Sequence, residues 1–216
     1  MDAALPRYQA SIGAASLIVG PALMSVGDLF HPHETWDVAA QVAMVAEAPT
    51  RWYAAHLLLF IGMLLFVPGI FVLSSLAVER RPVRGYAARV LLLLSVGALS
   101  AVFVSEMLLG RFAITGPGEA ATVALFQTFQ SASILGALMP GLLAFFIGVG
   151  LFVATVASQP GPLRAPAFFL ALGAALILGE IILAQVLLSQ IGNIMILVSG
   201  ILFARLVLRR PGVAPA

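Results

Sequence analysis

The chain has 216 residues, of which 62% are hydrophobic and only 9% are charged, against a charged share of about 25% in soluble proteins. A soluble globular chain is excluded, because one small core could not bury so much apolar surface. The chain has no cysteine, which excludes disulfides, thiolate metal sites and thiol catalysis. All eleven basic residues are arginines, so a lysine Schiff base is excluded. The net charge is +2, and the arginines form no basic tract that would indicate a nucleic-acid partner.

Six apolar segments predict six transmembrane helices in a single integral membrane domain, residues 1–216, with the lipid bilayer as a partner. A helix needs about 20 apolar residues, with a range of about 17 to 25, to cross the hydrocarbon core. The segments lie between Arg7 and Asp28, then at Trp52–Val78, Gly85–Gly110, Ile134–Ala157, Pro166–Leu187 and Ile191–Leu208. We interpret the first as a retained anchor and not a signal peptide, because no small-residue cleavage site follows it.

The turn between the fifth and sixth segments is predicted near Ser189–Asn193, where polar residues and a glycine interrupt the apolar sequence. The alternative is one long merged helix.

Two further segments predict short amphipathic helices outside the spans. In Trp36–Ala48, valines recur at helical spacing against Asp37, Gln41 and Glu47, and Pro49 ends the pattern. Gly118–Ser131 is a weaker copy. The expected fold class is therefore an all-α membrane protein with six transmembrane helices, arranged as three hairpins, and two short outer helices. These outer helices either lie flat on the outer leaflet or cap the bundle.

The arginines predict the orientation, because arginine in short loops stays on the cytoplasmic side. Nine of the eleven fall on one side of the six-span arrangement and only Arg51 and Arg111 on the other. Both termini are therefore expected in the cytoplasm, and Trp36, Trp52 and Tyr53 are expected as aromatic anchors at the outer interface. The arginine-only, alanine-rich composition is typical of a GC-rich bacterial genome, which places the protein in a bacterial inner membrane.

The returning helices share Pro68-Gly69, Pro140-Gly141 and Ser199-Gly200, and each outgoing helix carries one acid near its outer end. A threefold parallel repeat would explain both patterns. The alternative is that Pro-Gly pairs kink membrane helices and that small residues let helices approach closely.

Four side chains are candidates for a ligand-binding site because hydrocarbon penalises ionisable groups, which should therefore face the bundle interior. They are Asp28, His56, Glu106 and Glu180, which four different helices bring to similar height. Glu180 lies deepest and could act as a proton carrier or a neutral hydrogen-bond donor. The pattern predicts an outer-leaflet cavity for a cation or a small polar ligand, as in a transporter. The alternative for each residue alone is a solvated surface position or a purely structural partner.

The segment from Asp28 to Glu34 is dense in metal ligands and suggests a divalent metal as the cofactor. Imidazole with carboxylate suits Zn, Cu, Ni or Mn, and the candidate ligands are His31, His33 and His56, completed by Asp28 or Glu106. The spacing matches no standard metal motif, and the alternative is a polar helix exit.

The sequence favours no catalytic residue. It lacks HExxH, a GxSG elbow with a deep histidine, and the Walker and Rossmann glycine patterns, so an enzyme is the least supported class. One alternative to a ligand-binding protein is an accessory subunit, which would contact partner chains or further copies through its Gly-rich and Leu-rich faces. Another alternative is a lipid-binding protein, in which the two outer amphipathic segments form a lid over a groove.

Residues 37–73, DVAAQVAMVAEAPTRWYAAHLLLFIGMLLFVPGIFVL, resemble small, uncharacterised six-span bacterial membrane proteins grouped as a domain of unknown function. In that group an alanine-rich outer helix precedes the second transmembrane helix, which begins with aromatic residues and a histidine. The resemblance implies six helices and no established chemistry.

Overall fold

The computed structural model describes residues 6–32, 37–115, 119–158, 160–183 and 185–209, and these residues form an all-helical bundle. The helices are α1 Arg7–Phe30, α2 Val38–Glu47, α3 Pro49–Val78, α4 Pro82–Thr115, α5 Glu119–Ser133, α6 Met139–Val156, α7 Arg164–Leu183 and α8 Val186–Leu208, with a π-helical segment Ile134–Leu138 between α5 and α6. Six of them are long and apolar enough to cross a membrane: α1, α3, α4, α6 with the end of the π-helical segment, α7 and α8. The predicted fold class is confirmed.

The boundary between α7 and α8 differs from the prediction. Helix α7 ends at Leu183 and α8 begins at Val186, so the predicted turn near Ser189–Asn193 is wrong, and so is one merged helix. Gln185 has an extended backbone before α8. Ser189 and Asn193 look like turn residues in the sequence, but they lie in the first turns of α8 and face a cavity.

The six long helices form a closed ring in chain order, because α8 packs back against α1. Of the six neighbouring pairs, α6 and α7 make the least extensive contact. At one end of the ring, Arg80 donates to the carbonyl of Val156 and Arg164 to that of Ala157. We call this the arginine end, and the opposite end, where Arg51 donates to the carbonyl of Phe30, the cavity end.

Glycines allow close packing between most neighbouring helices. On α1, Gly13, Gly20 and Gly27 all face α3, and a Cβ at Gly20 would lie 2.9 Å from the carbonyl oxygen of Gly62. On the other side of the ring, a Cβ at Gly173 of α7 would lie 2.7 Å from the carbonyl oxygen of Gly192 on α8. Helices in lipid gain no hydrophobic driving force for association, so close packing at small residues stabilises the helix pairs instead.

The Pro68-Gly69 pair lies well inside α3, and a side chain from α1 completes its hydrogen bonds. Proline has no N–H to donate to the preceding turn. Gly69 N donates to Ser16 Oγ at 2.9 Å, and the Ser16 hydroxyl donates to the carbonyl of Leu65. Ser16 thus bridges the opened turn. By contrast, Pro140 lies in the first turn of α6, so these two Pro-Gly pairs do not occupy equivalent positions in their helices.

The two short outer helices predicted from the sequence correspond to α2 and α5, and Gly118 lies outside the described residues. Asp37 caps α2, since its side chain accepts from the backbone N–H groups of Ala39 and Ala40. Val42 of α2, Phe126 of α5 and Leu109 of α4 form one small apolar cluster. The outer helices therefore pack on the cavity end of α4, as expected for helices that cap the bundle.

Candidate functional site

A cavity of about 380 Å³ lies inside the ring toward the cavity end. All six long helices contribute to its wall, and α2 contributes Gln41 from above. Five ionisable side chains line it: Asp28, His31, His56, Glu106 and Glu180. Among the described residues that line the cavity, none is an arginine.

The four residues predicted as ligand-binding, Asp28, His56, Glu106 and Glu180, all line this one cavity. His56 is 1% exposed and Glu106 is 9% exposed, so the alternative of a solvated surface position is wrong for these two. Asp28 and Glu180 are partly buried. That they bind a ligand remains a prediction.

The rings of His31 and His56 meet at the top of the cavity. Their Nε2 atoms lie 3.1 Å apart, and their ring centroids are 4.6 Å apart in an edge-on arrangement. Each Nδ1 contacts a backbone carbonyl: His31 that of Pro32 at 2.7 Å, and His56 that of Trp52 at 2.9 Å. The residue that follows α1 is therefore joined to α3 through two imidazoles.

As hydrogen bonds, these contacts need three protons on the two rings. A carbonyl oxygen only accepts, so each Nδ1 would carry a proton. The Nε2 to Nε2 contact needs one further proton between the rings. This arrangement would give the pair one net positive charge. The charge lies close enough to the Asp28 carboxylate for the two to attract.

Trp52 is fully buried beside this pair, and its prediction as an interfacial anchor is wrong. Its indole Nε1 donates to the carbonyl of Glu106 at 2.9 Å, and its ring lies 4.4 Å from that of His56. Gly110 makes room for it, since a Cβ there would lie 2.6 Å from Trp52 Cδ1. Tyr53 is 52% exposed, in keeping with an anchor, and Trp36 lies outside the described residues.

The side chain of Asp28 is held by a hydrogen bond from α8. Asn193 Nδ2 donates to Asp28 Oδ2 at 3.0 Å, and the Asn193 side chain is buried. This hydrogen bond is between side chains 165 positions apart in the chain. It orients one carboxylate oxygen toward α8 and joins the first and last long helices of the ring.

Below the ionisable groups the cavity wall is apolar. On α3, the lining residues after His56 are Leu59, Met63, Phe66 and Ile70, at the spacing of one helix face. The same change occurs on α4 from Glu106 down to Leu92, where Ser95 is the one polar side chain among the described lining residues. The cavity therefore has an acidic top and an apolar lower part.

The metal prediction finds no support among the described residues, where no three His, Asp or Glu side chains are grouped as metal ligands. The structure does bring His31 and His56 together. His33 and Glu34 lie outside the described residues, so a divalent metal held by His31, His33 and His56 remains a prediction.

Besides Ser95 in the apolar part, sequence reasoning missed three polar residues that line the cavity: Gln41, Ser189 and Asn193. Gln41 was assigned to the polar face of the outer helix, and the other two to a turn. Their position in or beside apolar segments could have indicated that they face the bundle interior. Buried amides and hydroxyls need hydrogen-bond partners, as the acids do.

No protein-family model, curated protein or solved structure matches the chain. Its class is therefore defined by the fold alone: an α-helical bundle with six helices fit to cross a membrane and an acidic cavity between them.

Proposed function

We propose that this protein is a polytopic membrane protein that binds a cation in the cavity between its helices, as a transporter or binding protein does. One observation carries the proposal: three carboxylates, those of Asp28, Glu106 and Glu180, line a cavity in which no described lining residue is an arginine. Among the described lining residues, only His31 and His56 can carry a positive charge beside them.

Burial makes this balance significant. An ionised side chain at membrane depth costs about 2.5 to 3.5 kcal/mol on insertion scales, unless it is paired or reached by water. Three carboxylates facing one imidazolium charge leave an excess of negative charge when all three are ionised. Protons or a bound cation would reduce this excess. The carboxylates attract a cation that enters the cavity, whereas they repel an anion.

The orientation supports a ligand taken from outside the cell. Nine of the eleven arginines fall on one side of the six spans, and the side rich in arginine is expected in the cytoplasm. The cavity lies toward the opposite end of the bundle, which would face the periplasm in a bacterial inner membrane.

The test is the thermal stability of the full chain in lipid nanodiscs, measured with sodium, magnesium, zinc and methylammonium chlorides at constant ionic strength. We expect at least one of these cations to raise Tm in a concentration-dependent manner. The effect should persist unchanged in Glu47→Gln, whose side chain is exposed on α2, and should need higher cation concentrations in Glu106→Gln. A Tm that no cation changes would refute the proposal.

The accessory-subunit alternative gives a different result in the same membranes. It predicts a defined partner chain that copurifies with the protein, no response to any cation, and equal stability of the Glu47→Gln and Glu106→Gln variants in the presence of salts.

A further inference from the structure

We infer that the cation is an organic one with an apolar body: a positively charged head bound among the carboxylates and an apolar part that extends toward the arginine end. This inference rests on the proposed function and names its ligand class. It is carried by the shape of the cavity and the separation of its polar and apolar walls.

The cavity is elongated along the helices. The α3 lining runs from His56 to Ile70, fourteen positions at about 1.5 Å each, or about 21 Å. On α4 the lining runs from Glu106 to Leu92 over the same number of positions. An inorganic cation with its ligands would occupy only one end of such a space.

The ionisable residues lie at one end of this length. Asp28, His31, His56 and Glu106 lie where α1, α3 and α4 approach the cavity end, and Glu180 is contributed by the corresponding turn of α7. The remaining length is lined by side chains such as Met24, Met63, Phe66 and Phe145. Water in that part would have few polar partners, and a cavity of this character favours an apolar occupant.

The deep polar residue does not alter this assignment. Ser95 lines the apolar part, but its hydroxyl donates to the carbonyl of Leu92 in its own helix at 2.7 Å. The methionines suit a range of ligand shapes, since their side chains are flexible and polarisable. The ligand is therefore specified by one charge at one end and by its apolar length.

The test compares tetramethylammonium with butyltrimethylammonium and hexyltrimethylammonium, and with hexanesulfonate as a matched anion. Affinity is measured by calorimetry on the full chain in nanodiscs, with empty nanodiscs subtracted. Complete burial contributes about 0.8 kcal/mol per methylene, or about fourfold in affinity. We expect hexyltrimethylammonium to bind at least about tenfold more tightly than tetramethylammonium, and hexanesulfonate not to bind.

Two pairs of variants separate the head from the body of the ligand. Glu106→Gln should weaken all three cations by a similar factor, with Glu47→Gln as its control. Met63→Phe, or Leu142→Phe in a less buried part of the wall, should leave tetramethylammonium affinity unchanged. Either variant should reduce the increase in affinity from tetramethylammonium to hexyltrimethylammonium. Equal affinity for the short and long cations would overturn the inference while leaving the proposed function intact. Binding of hexanesulfonate as tight as that of hexyltrimethylammonium would also overturn it. If none of the three quaternary ammonium ions binds, the inference is also wrong, and the Tm series with sodium, magnesium, zinc and methylammonium then decides whether the proposed function stands.

Discussion

The Nε2 atoms of His31 and His56 lie 3.1 Å apart, where one proton between the two rings would complete a hydrogen bond. His31 follows the end of α1 and His56 lies in α3, so this contact joins two helices at the top of the cavity. With that proton and both Nδ1 protons in place, the two rings carry one positive charge.

Removal of the charge on this pair should raise cation affinity. The His31→Gln variant leaves a single imidazole and takes away a positive charge that opposes a bound cation. One charge of this kind is worth on the order of 1 kcal/mol, or about fivefold in affinity. Tetramethylammonium affinity of the variant and of the wild type, measured by calorimetry under the same conditions, checks the expectation.

The same variant keeps the three carboxylates of the cavity. Asp28, Glu106 and Glu180 line the same cavity, so the His31→Gln variant should still bind the cation. An affinity equal to or weaker than that of the wild type would mean that the pair carries no charge that opposes the cation.

Two glycines of α4 should respond in opposite ways to a methyl group. Gly110→Ala places a Cβ 2.6 Å from Trp52 Cδ1, which forces Trp52 away from the Glu106 carbonyl and from His56. Overpacking of this kind costs about 1 to 3 kcal/mol. Gly97 has no atom within 4 Å of its Cβ position, so Gly97→Ala should leave stability unchanged or raise it by about 0.5 to 1 kcal/mol. Thermal unfolding followed by tryptophan fluorescence compares the two, and a similar loss in both would contradict the assigned role of Gly110.

Ser16→Ala should loosen the contact between α1 and α3. The change removes both hydrogen bonds at the opened turn and leaves Gly69 N–H and the Leu65 carbonyl without this bridge, at a cost of about 1 to 3 kcal/mol. Ser25→Ala is the control on the same helix, since Ser25 donates only to the carbonyl of Pro21 one turn earlier. Unfolding in detergent should show a lower midpoint for Ser16→Ala alone. Equal midpoints would show that Ser16 does not stabilise the opened turn.

The absence of cysteine from the chain allows a direct test of orientation. Glu47→Cys lies on α2 at the cavity end and Arg84→Cys at the arginine end, and both positions are exposed. A membrane-impermeant maleimide added to bacterial cells with a permeable outer membrane should label the first, and label the second only after lysis. The reverse pattern would place the cavity on the cytoplasmic side.

Much of the fold follows from the sequence because charges and prolines mark helix ends. Arg7, Pro49, Pro82 and Arg164 each begin a helix at or near a predicted boundary. The start of α8 was missed for a physical reason: a polar side chain that faces a buried cavity and one in a turn look alike in a single sequence. Only the packing of α8 against α1 and α7 distinguishes them.

Part of the candidate site could also be predicted from the sequence. Hydrocarbon penalises acids strongly enough to predict that Asp28, Glu106 and Glu180 face inward, and they share one cavity. Trp52 was assigned to the interface because tryptophan favours that depth. The structure buries it instead, since a gap at Gly110 and the Glu106 carbonyl together suit the indole. Neither feature is visible before the helices are assembled.

The glycines of α1 that face α3 recur every seven residues, at 13, 20 and 27. A seven-residue period keeps one stripe in contact along a left-handed supercoil, so these two helices stay tightly joined over their shared length. This half of the ring should resist sideways separation. Because α6 and α7 have the least extensive contact of the neighbouring pairs, we expect the ring to open more readily between these two helices than between α1 and α3.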